Sequence, residues 1–230
     1  RRMSLRGTVM LITGESSGIG AATARRAAAA GARVALAARS ANQLDELAVT
    51  IRKNGGEAVS LPADVTRDAE VTRLVEATIA RFGRLDVLVN NAGFAVLDHV
   101  ADASLADFEE MLAVNLVGAA RCAKAVLPQM LAQRRGQIVN IASMAGLLSM
   151  HNFGFYCATK AGLIALTRSM QLDLSGTGVR CVAICPGTVR TPFFRRAGIA
   201  KLPRTPYLIP WLADDDVART ILRAVERRAE

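Results

Sequence analysis

Tyr156 and Lys160 are the residues in this sequence whose types and spacing best suit acid–base chemistry. They lie four apart in a stretch predicted to be helical, so their side chains share one face. A tyrosine with its ordinary pKa of about 10 transfers protons poorly at neutral pH. An ammonium about 4 Å away contributes roughly 4 kcal/mol at an effective dielectric of about 20, which lowers that pKa by about three units. The spacing predicts a general acid or base at Tyr156, although exposed helical pairs share it.

Other polar residues follow apolar runs that the pattern predicts to be strands. Residues 90–93 (NNAG), Ser143 and the Pro186-Gly187 pair each come at the end of such a run. In an open parallel sheet, ligands bind outside the carboxyl ends of the strands. We therefore expect these residues and Tyr156 to form one site.

The first predicted strand leads into a glycine-rich turn at 13–20 (TGESSGIG) and then into an alanine-rich helix. Glycine is needed where a backbone turns sharply or approaches a pyrophosphate closely. The helix N-terminus adds unpaired N–H groups and a favourable dipole for an anion. An ordinary strand–helix connection has similar residues, but the position in the first β–α–β unit favours nucleotide binding.

Arg39 and Glu15 bear on which nicotinamide dinucleotide this turn would bind. Arg39 ends the second predicted strand, about 20 residues beyond the glycines. An acidic residue there would bind the ribose 2′-OH of NAD, whereas an arginine suits the 2′-phosphate of NADP. Glu15 acts in the opposite direction, because a carboxylate repels a phosphate. We expect NADP(H) to be favoured over NAD(H).

Strand-like and helix-like runs alternate along the sequence. Apolar strands separated by helices indicate a parallel sheet covered on both faces. Right-handed crossovers then predict an α/β fold, a doubly wound (Rossmann-type) parallel sheet in a single domain, 1–230, with a substrate loop at 186–213. The predicted strands are 8–13, 33–38, 57–62, 86–90, 137–142 and 179–185, and the predicted helices are 19–30, 42–53, 67–81, 105–132, 155–175 and 214–228.

Charge and composition limit the classes of function. The formal net charge is +9, but the basic residues are spread along the chain in pairs without interleaved aromatic residues. We therefore expect a solvated surface and no specific nucleic-acid binding. The four cysteines form no metal-ligand pattern, so no metal site is expected. No apolar run reaches the roughly 18 residues that span a bilayer, and residues 1–8 lack a signal-peptide pattern, so we expect a cytoplasmic protein without membrane association.

Taken together, these motifs resemble those of the short-chain dehydrogenase/reductase family over nearly the whole chain. The resemblance implies an enzyme that transfers hydride between a nicotinamide dinucleotide and a secondary alcohol or ketone. Two alternatives remain: a β-ketoacyl (3-oxoacyl) thioester reductase, which Arg195, Arg196 and Lys201 would suit, and a non-catalytic dinucleotide-binding sensor. The matching motifs are TGESSGIG (13–20), Asp64-Val65, NNAG (90–93), Asn115, Ser143, YCATK (156–160) and PGTVRT (186–191).

The resemblance also implies a role for each matching residue. Tyr156 would donate or accept the proton on the substrate oxygen, and Lys160 would lower the pKa of Tyr156 and bind the nicotinamide ribose. Ser143 would hold the substrate oxygen, and Asn115 would anchor a water that relays protons. The implied cofactor-binding residues are Gly14, Ser16, Ser17, Gly18, Ile19, Gly20, Arg39, Asp64 and Val65 (at the adenine), Asn91, Ala92, Gly93, Tyr156, Lys160, Pro186, Gly187, and Val189 and Thr191 (at the nicotinamide carboxamide).

Apolar residues are expected beside Ser143 and Tyr156, namely Phe94, Phe153 and Phe193. An apolar pocket with a few polar groups is the usual site for a small molecule, here an alcohol or carbonyl compound. The family resemblance further implies a homodimer or homotetramer formed through the helices at 105–132 and 155–175.

Overall fold

The computed structural model describes residues 4–14, 18–191, 193, 197 and 211–227. Its strands are β1 (Val9–Thr13), β2 (Arg33–Ala37), β3 (Glu57–Ser60), β4 (Val87–Asn90), β5 (Gly136–Ile141) and β6 (Val179–Ile184). They form one parallel sheet in the order β3-β2-β1-β4-β5-β6. This order runs outward from β1 in both directions, which confirms the predicted doubly wound fold.

The helices are α1 (Gly18–Ala29), α2 (Ala41–Lys53), α3 (Asp68–Phe82), α4 (Leu105–Leu112), α5 (Ala119–Ala132), α6 (Gly154–Asp173) and α7 (Asp214–Glu226). The sequence predicted one regular helix over 105–132, whereas a π-helical segment, Ala113–Gly118, separates α4 from α5. Such segments occur frequently at functional sites. Asn115 lies within this one.

Alternate residues of each strand pack against opposite helical layers. In β1, Met10 and Ile12 pack in the layer that contains α1, α2 and α7. Val9 and Leu11 pack in the layer that contains α3, α5 and the end of α6. Because strands covered on both faces bury every side chain, they appear in the sequence as continuous apolar runs.

The helical stretch Leu105–Ala132 is long and apolar enough, by length and composition, to cross a membrane. The sequence-based expectation considered only uninterrupted apolar runs, and none of those reaches this length. In the structure, Cys122, Val126 and Met130 on this stretch pack against the sheet. The core helix of a soluble protein passes the same test of length and composition.

Candidate active site

Two glycines with left-handed backbone conformation form the turn after β1. Gly14 has a φ of +75°, and a Cβ atom added to it would lie 2.5 Å from the Ala92 Cα. Gly18 has a φ of +65°, and its Cβ would lie 2.9 Å from the Thr191 Cγ2. Only glycine fits such approaches without displacing its neighbours. The remaining residues of the turn, Glu15, Ser16 and Ser17, lie outside the described part of the chain.

Helix α1 follows the turn directly. Gly18, Ile19 and Gly20 form its beginning, and its first turn carries no acidic side chain. Free backbone N–H groups and the helix dipole favour an anion at this position. The predicted phosphate-binding glycines therefore lie where their local chemistry suits that role.

Thr13 and Asn91 hold the end of β4 against the end of β1. The Thr13 hydroxyl accepts hydrogen bonds from the backbone N–H groups of Asn91 and Ala92, at 3.2 and 3.1 Å. The Asn91 side chain donates to the carbonyl oxygens of Thr13 and Gly14, at 3.0 and 2.8 Å. Asn91 thus fixes the position of the glycine turn. Thr13 belongs to the predicted motif at 13–20, but no role of its own was predicted for it.

An open cleft of about 470 Å³ lies at the carboxyl ends of the strands, and we call it the Arg39 cleft. It brings together three residues that were predicted from separate motifs, Arg39, Asp64 and Val65. Its other lining residues are Gly14, Ala92, Gly93 and Phe94, which were predicted site residues, and Ala37, Ala38, Ser40, Gln43, Ala63 and Val114, which were not.

The Asp64 carboxyl in this cleft is stabilised in its ionised form. Burial raises its pKa, but hydrogen bonds from the Thr66 N–H and hydroxyl, at 2.9 and 2.8 Å, act in the opposite direction. The positive charges of Arg39 and Arg67 also lower the pKa, which lies below its ordinary value. A carboxylate therefore lies near Arg39 within the cleft.

The Tyr156 side chain is 7% exposed and hydrogen-bonds to Ser143. Ser143 follows β5, and its hydroxyl also accepts from the Ala145 N–H at 3.1 Å. Burial raises the pKa of the Tyr156 phenol above its ordinary value, and the Ser143 hydrogen bond only partly offsets this. The sequence predicted a lowered pKa, which was wrong because helical spacing does not reveal how deeply the phenol is buried.

Lys160 lies beside Tyr156, as the four-residue spacing predicted. Its Nζ is 5.8 Å from the centroid of the Tyr156 ring and donates to the Ile141 carbonyl oxygen at 2.9 Å. Burial lowers the pKa of Lys160 to about 8, and the nearby Cys185 acts in the opposite direction. A Cβ on Gly93 would lie 3.4 Å from this Nζ, so the glycine leaves the space before the ammonium open.

The Asn115 side chain in the π-helical segment is 1% exposed and fully hydrogen-bonded. Its Oδ1 accepts from the Phe94 N–H at 2.9 Å, and its Nδ2 donates to the Phe94 carbonyl at 2.8 Å. Nδ2 also donates to the Thr159 hydroxyl at 3.2 Å. The side chain therefore joins the segment after β4 to α6. Thr159, one residue before Lys160, was not predicted.

The predicted segment 186–191 lies beside Ser143 and the glycine turn. The Pro186 carbonyl accepts from the Met144 N–H at 2.9 Å. Val189 forms a parallel β-bridge with Leu212. The Thr191 side chain lies so close to Gly18 that a Cβ on this glycine would meet it. Of the predicted loop 186–213, residues 192, 194–196 and 198–210 lie outside the described residues, including Arg195, Arg196 and Lys201.

Aromatic side chains surround Tyr156 on the substrate side. The ring centroids of Phe153 and Phe193 lie 6.3 and 5.8 Å from that of Tyr156. Phe94 packs against the same apolar cluster, which also contains the buried Ala145 and Met111. The three predicted substrate-side phenylalanines are therefore close to Tyr156.

The described residues fit a dinucleotide better than a metal ion. Within the described ranges, no group of three or more His, Cys, Asp or Glu side chains is placed to hold a metal. By contrast, the close approach of Gly14 to Ala92 makes a turn that a Cβ would fill. Gly14, Ala92 and Gly93 line the Arg39 cleft, and a Cβ on Gly93 would lie 3.4 Å from the Lys160 Nζ.

A family model for short chain dehydrogenases matches residues 8–201. An oxidoreductase of uncharacterised activity from Thermotoga maritima is 41% identical over 189 residues, 82% of this chain and 74% of the relative. The 2-(S)-hydroxypropyl-CoM dehydrogenase 3 of Xanthobacter autotrophicus is 40% identical, over 80% of this chain and 72% of the relative. The 3-oxoacyl-[acyl-carrier-protein] reductase of Synechocystis is 39% identical, over 82% of this chain and 76% of the relative.

Solved structures agree with these sequence relatives. Levodione reductase superposes with a TM-score of 0.88 and 31% identity, covering 94% of this chain and 90% of the other. An alcohol dehydrogenase from the archaeon Thermococcus sibiricus, complexed with 5-hydroxy-NADP, superposes with a TM-score of 0.83 and 32% identity. That match covers 95% of this chain and 89% of the archaeal one.

Proposed function

Because the chain belongs to the short-chain dehydrogenase family, we propose that residues 1–230 form one catalytic domain that transfers hydride between NADP(H) and a secondary alcohol or ketone. The observation that carries the proposal is the buried phenol of Tyr156, which hydrogen-bonds to Ser143 and lies beside the Lys160 ammonium. Its aromatic surroundings at Phe153 and Phe193 suit the carbon skeleton of a small ketone.

Tyr156 is the general acid in the proposed reduction. Its raised pKa keeps the phenol protonated at neutral pH, which is the form that donates to a carbonyl oxygen. Ser143 holds that oxygen through its hydroxyl, next to the phenol. When bound, the dinucleotide supplies the hydride, or accepts it in the reverse direction. In alcohol oxidation the phenolate is the base, so this direction is favoured at higher pH.

Lys160 supports this proton transfer by its charge. With a pKa of about 8, it is mostly protonated at neutral pH, and its ammonium stabilises the negative charge that develops on the Tyr156 oxygen. The open space at Gly93 lets the same ammonium reach a cofactor ribose. The Asn115 side chain holds Phe94 and Thr159, so we assign it a positioning role.

NADP(H) is the proposed cofactor, and Arg39 supports this preference. Arg39 lines the cleft together with Ser40 and Gln43, which are the residues around the beginning of α2. The first turn of α2 carries no acidic residue, so nothing in it opposes a 2′-phosphate. The Thermococcus sibiricus relative was solved with an NADP derivative, which agrees with the proposal. Glu15 acts against it, and its position is outside the described residues.

A β-ketoacyl thioester reductase is the second candidate. It is favoured by the 39% identity to the Synechocystis 3-oxoacyl-[acyl-carrier-protein] reductase. The reaction is the same hydride transfer to a ketone, so Tyr156, Ser143 and Lys160 keep their proposed roles. The two candidates differ in the group attached to the ketone.

One experiment tests the proposal. NADPH and NADH are titrated separately by cofactor fluorescence, and a panel of ketones and 3-oxoacyl thioesters is then screened with the tighter one. We expect tighter NADPH binding and turnover of at least one carbonyl compound. Tight binding with no turnover across the panel would favour the dinucleotide-binding sensor, and tighter NADH binding would show that Glu15 outweighs Arg39.

We also propose a homo-oligomer formed through the helices at 105–132 and 155–175. Large apolar side chains on these helices are exposed, with Leu105 at 68% and Leu172 at 79%. Light scattering on the purified protein measures its mass in solution, and a monomer at micromolar concentration would contradict this proposal.

A further inference from the structure

We propose that Arg121, on α5, is a positioning residue for the cofactor: it holds the segment that carries Asp64 and Val65 in the Arg39 cleft. The inference rests on the proposed dinucleotide binding, because the adenosine half of the cofactor would occupy this cleft. It adds a residue on a distant helix to the determinants of cofactor affinity.

The segment needs support because it lies beyond the sheet. The last sheet-like hydrogen bond on this side joins the Ala63 N–H to the Ala38 carbonyl at 3.1 Å. After Ala63 the chain leaves β2, and α3 begins only at Asp68. Asp64 and Val65 therefore line the cleft without a neighbouring strand to fix their positions.

Arg121 reaches this segment from α5, which packs in the same helical layer as Val65. Its Nη1 donates to the Val65 carbonyl at 2.8 Å, and its Nε donates to the Asp68 carboxylate. The Arg121 side chain is only 20% exposed, so its stem is largely buried, whereas Asp68 is 86% exposed. The hydrogen bond to Val65 is accordingly the stronger constraint, since exposed ion pairs contribute little.

Helix α5 is built to approach the segment closely. A Cβ on Gly118, at the end of the π-helical segment, would lie 2.8 Å from the Val65 Cγ2. The Val65 side chain is 7% exposed and packs in the same layer as Cys122 and Ala123 of α5. Apolar packing thus holds the side chain of Val65, while Arg121 holds its backbone.

The other constraints on the segment are local. Thr66 bonds to the Asp64 carboxylate, and the Asp64 N–H donates to Glu70 at 2.8 Å. These bonds fix the shape of the turn but not its distance from the rest of the cleft. In the described part of the chain, Arg121 is the side chain outside residues 64–70 that hydrogen-bonds to the backbone of Val65. We infer that it sets the distance between Asp64 and Arg39.

The test replaces Arg121 by methionine, which keeps an apolar stem and removes the guanidinium. We expect the NADPH dissociation constant to rise about tenfold, because cofactor binding must then order a segment that the charged hydrogen bond of Arg121 had already held in place. kcat at saturating NADPH should stay unchanged, because Tyr156 and Lys160 are untouched. Turnover with reduced nicotinamide mononucleotide, which lacks the adenosine half, should also equal that of the wild type. Lys124→Met, an exposed position on the same helix, is the matched control.

Arg121→Lys is a second variant, which keeps the positive charge and a hydrogen-bond donor. Its NADPH affinity should lie between that of the wild type and that of Arg121→Met. Wild-type NADPH affinity in Arg121→Met would overturn the inference. Equal losses with NADPH and with the mononucleotide would overturn it too, since they would indicate a general structural role. If the thermal unfolding midpoint shows that neither Arg121→Met nor Arg121→Lys folds, the inference is also overturned. Failure of the wild type to bind NADPH or NADH would instead refute the proposed function.

Discussion

The Tyr156 region and the Arg39 cleft are stabilised in different ways. Around Tyr156, the polar groups are buried and bonded to the backbone, as with Lys160 on the Ile141 carbonyl and Asn115 on both polar atoms of Phe94. In the Arg39 cleft, Arg39 itself is exposed, and charged side chains hold the lining segment. The difference suggests a rigid arrangement for proton transfer and an adjustable one for cofactor affinity, so changes in each region should alter different measurements.

Lys160→Met should have a large effect, and mainly on the rate. Methionine fills the buried space but removes the ammonium, so kcat should fall about a thousandfold, the usual size of an acid–base contribution. The NADPH dissociation constant should change much less than kcat. Steady-state kinetics and fluorescence titration of the same preparation measure the two quantities. If kcat and the affinity for NADPH fell by the same factor, the Tyr156 region and the Arg39 cleft would not act separately.

Gly14→Ala tests the junction between the two regions. The added Cβ meets the Ala92 backbone at 2.5 Å in a residue with positive φ, so we expect unfolding to become easier by about 3 kcal/mol. Gly7→Ala is the control, because Gly7 has a φ of +74° but nothing within 4 Å of its Cβ. Its cost should be about 1 kcal/mol. Urea unfolding measures the free energy of unfolding of both variants. If both lose the same amount of stability, the close contact between Gly14 and Ala92 is refuted.

Arg39→Ser should alter affinity without altering the rate. Losing a charged hydrogen bond to the 2′-phosphate should raise the NADPH dissociation constant about tenfold and leave that of NADH nearly unchanged. Arg25→Ser, at an exposed position on α1, is the matched control. If NADPH and NADH lose affinity equally, Arg39 does not select the cofactor.

The pH dependence should report on Lys160. Because burial lowers the pKa of Lys160 to about 8, its ammonium is lost as the pH rises through that value. kcat/KM for the cofactor, which reports pKa values of the free enzyme, should therefore halve near pH 8 and fall further above it. Arg39→Ser should keep this profile, whereas Lys160→Arg, whose guanidinium stays charged, should lose it. An unchanged profile in Lys160→Arg would contradict the assignment.

Much of the fold was predictable because its signals are local. Each strand of the parallel sheet is a continuous apolar run, and the strand predicted over 8–13 is β1, Val9–Thr13. The π-helical segment at Asn115 escaped prediction because an extra residue in one turn leaves the apolar pattern on both sides intact.

The residues of the candidate site were largely predictable, but their pKa values and long-range contacts were not. The predicted grouping of Tyr156, Ser143 and Lys160 is confirmed. The sequence revealed it because Ser143 comes directly after a predicted strand, and Tyr156 and Lys160 are four residues apart on a predicted helix. The direction of the Tyr156 pKa shift was wrong, because the four-residue spacing does not show that the phenol is buried beside Phe153 and the distant Phe193. The contact of Arg121 with Val65 joins residues 56 positions apart, and no local pattern announces it.

Tyr156→Phe tests the central claim most directly. The substitution removes only the hydroxyl oxygen, so the packing against Phe153 and Phe193 is retained. We predict that NADPH-dependent reduction falls at least about a thousandfold, while the NADPH dissociation constant stays within about twofold of the wild type. Turnover close to the wild-type rate in a variant that binds NADPH normally would contradict the account.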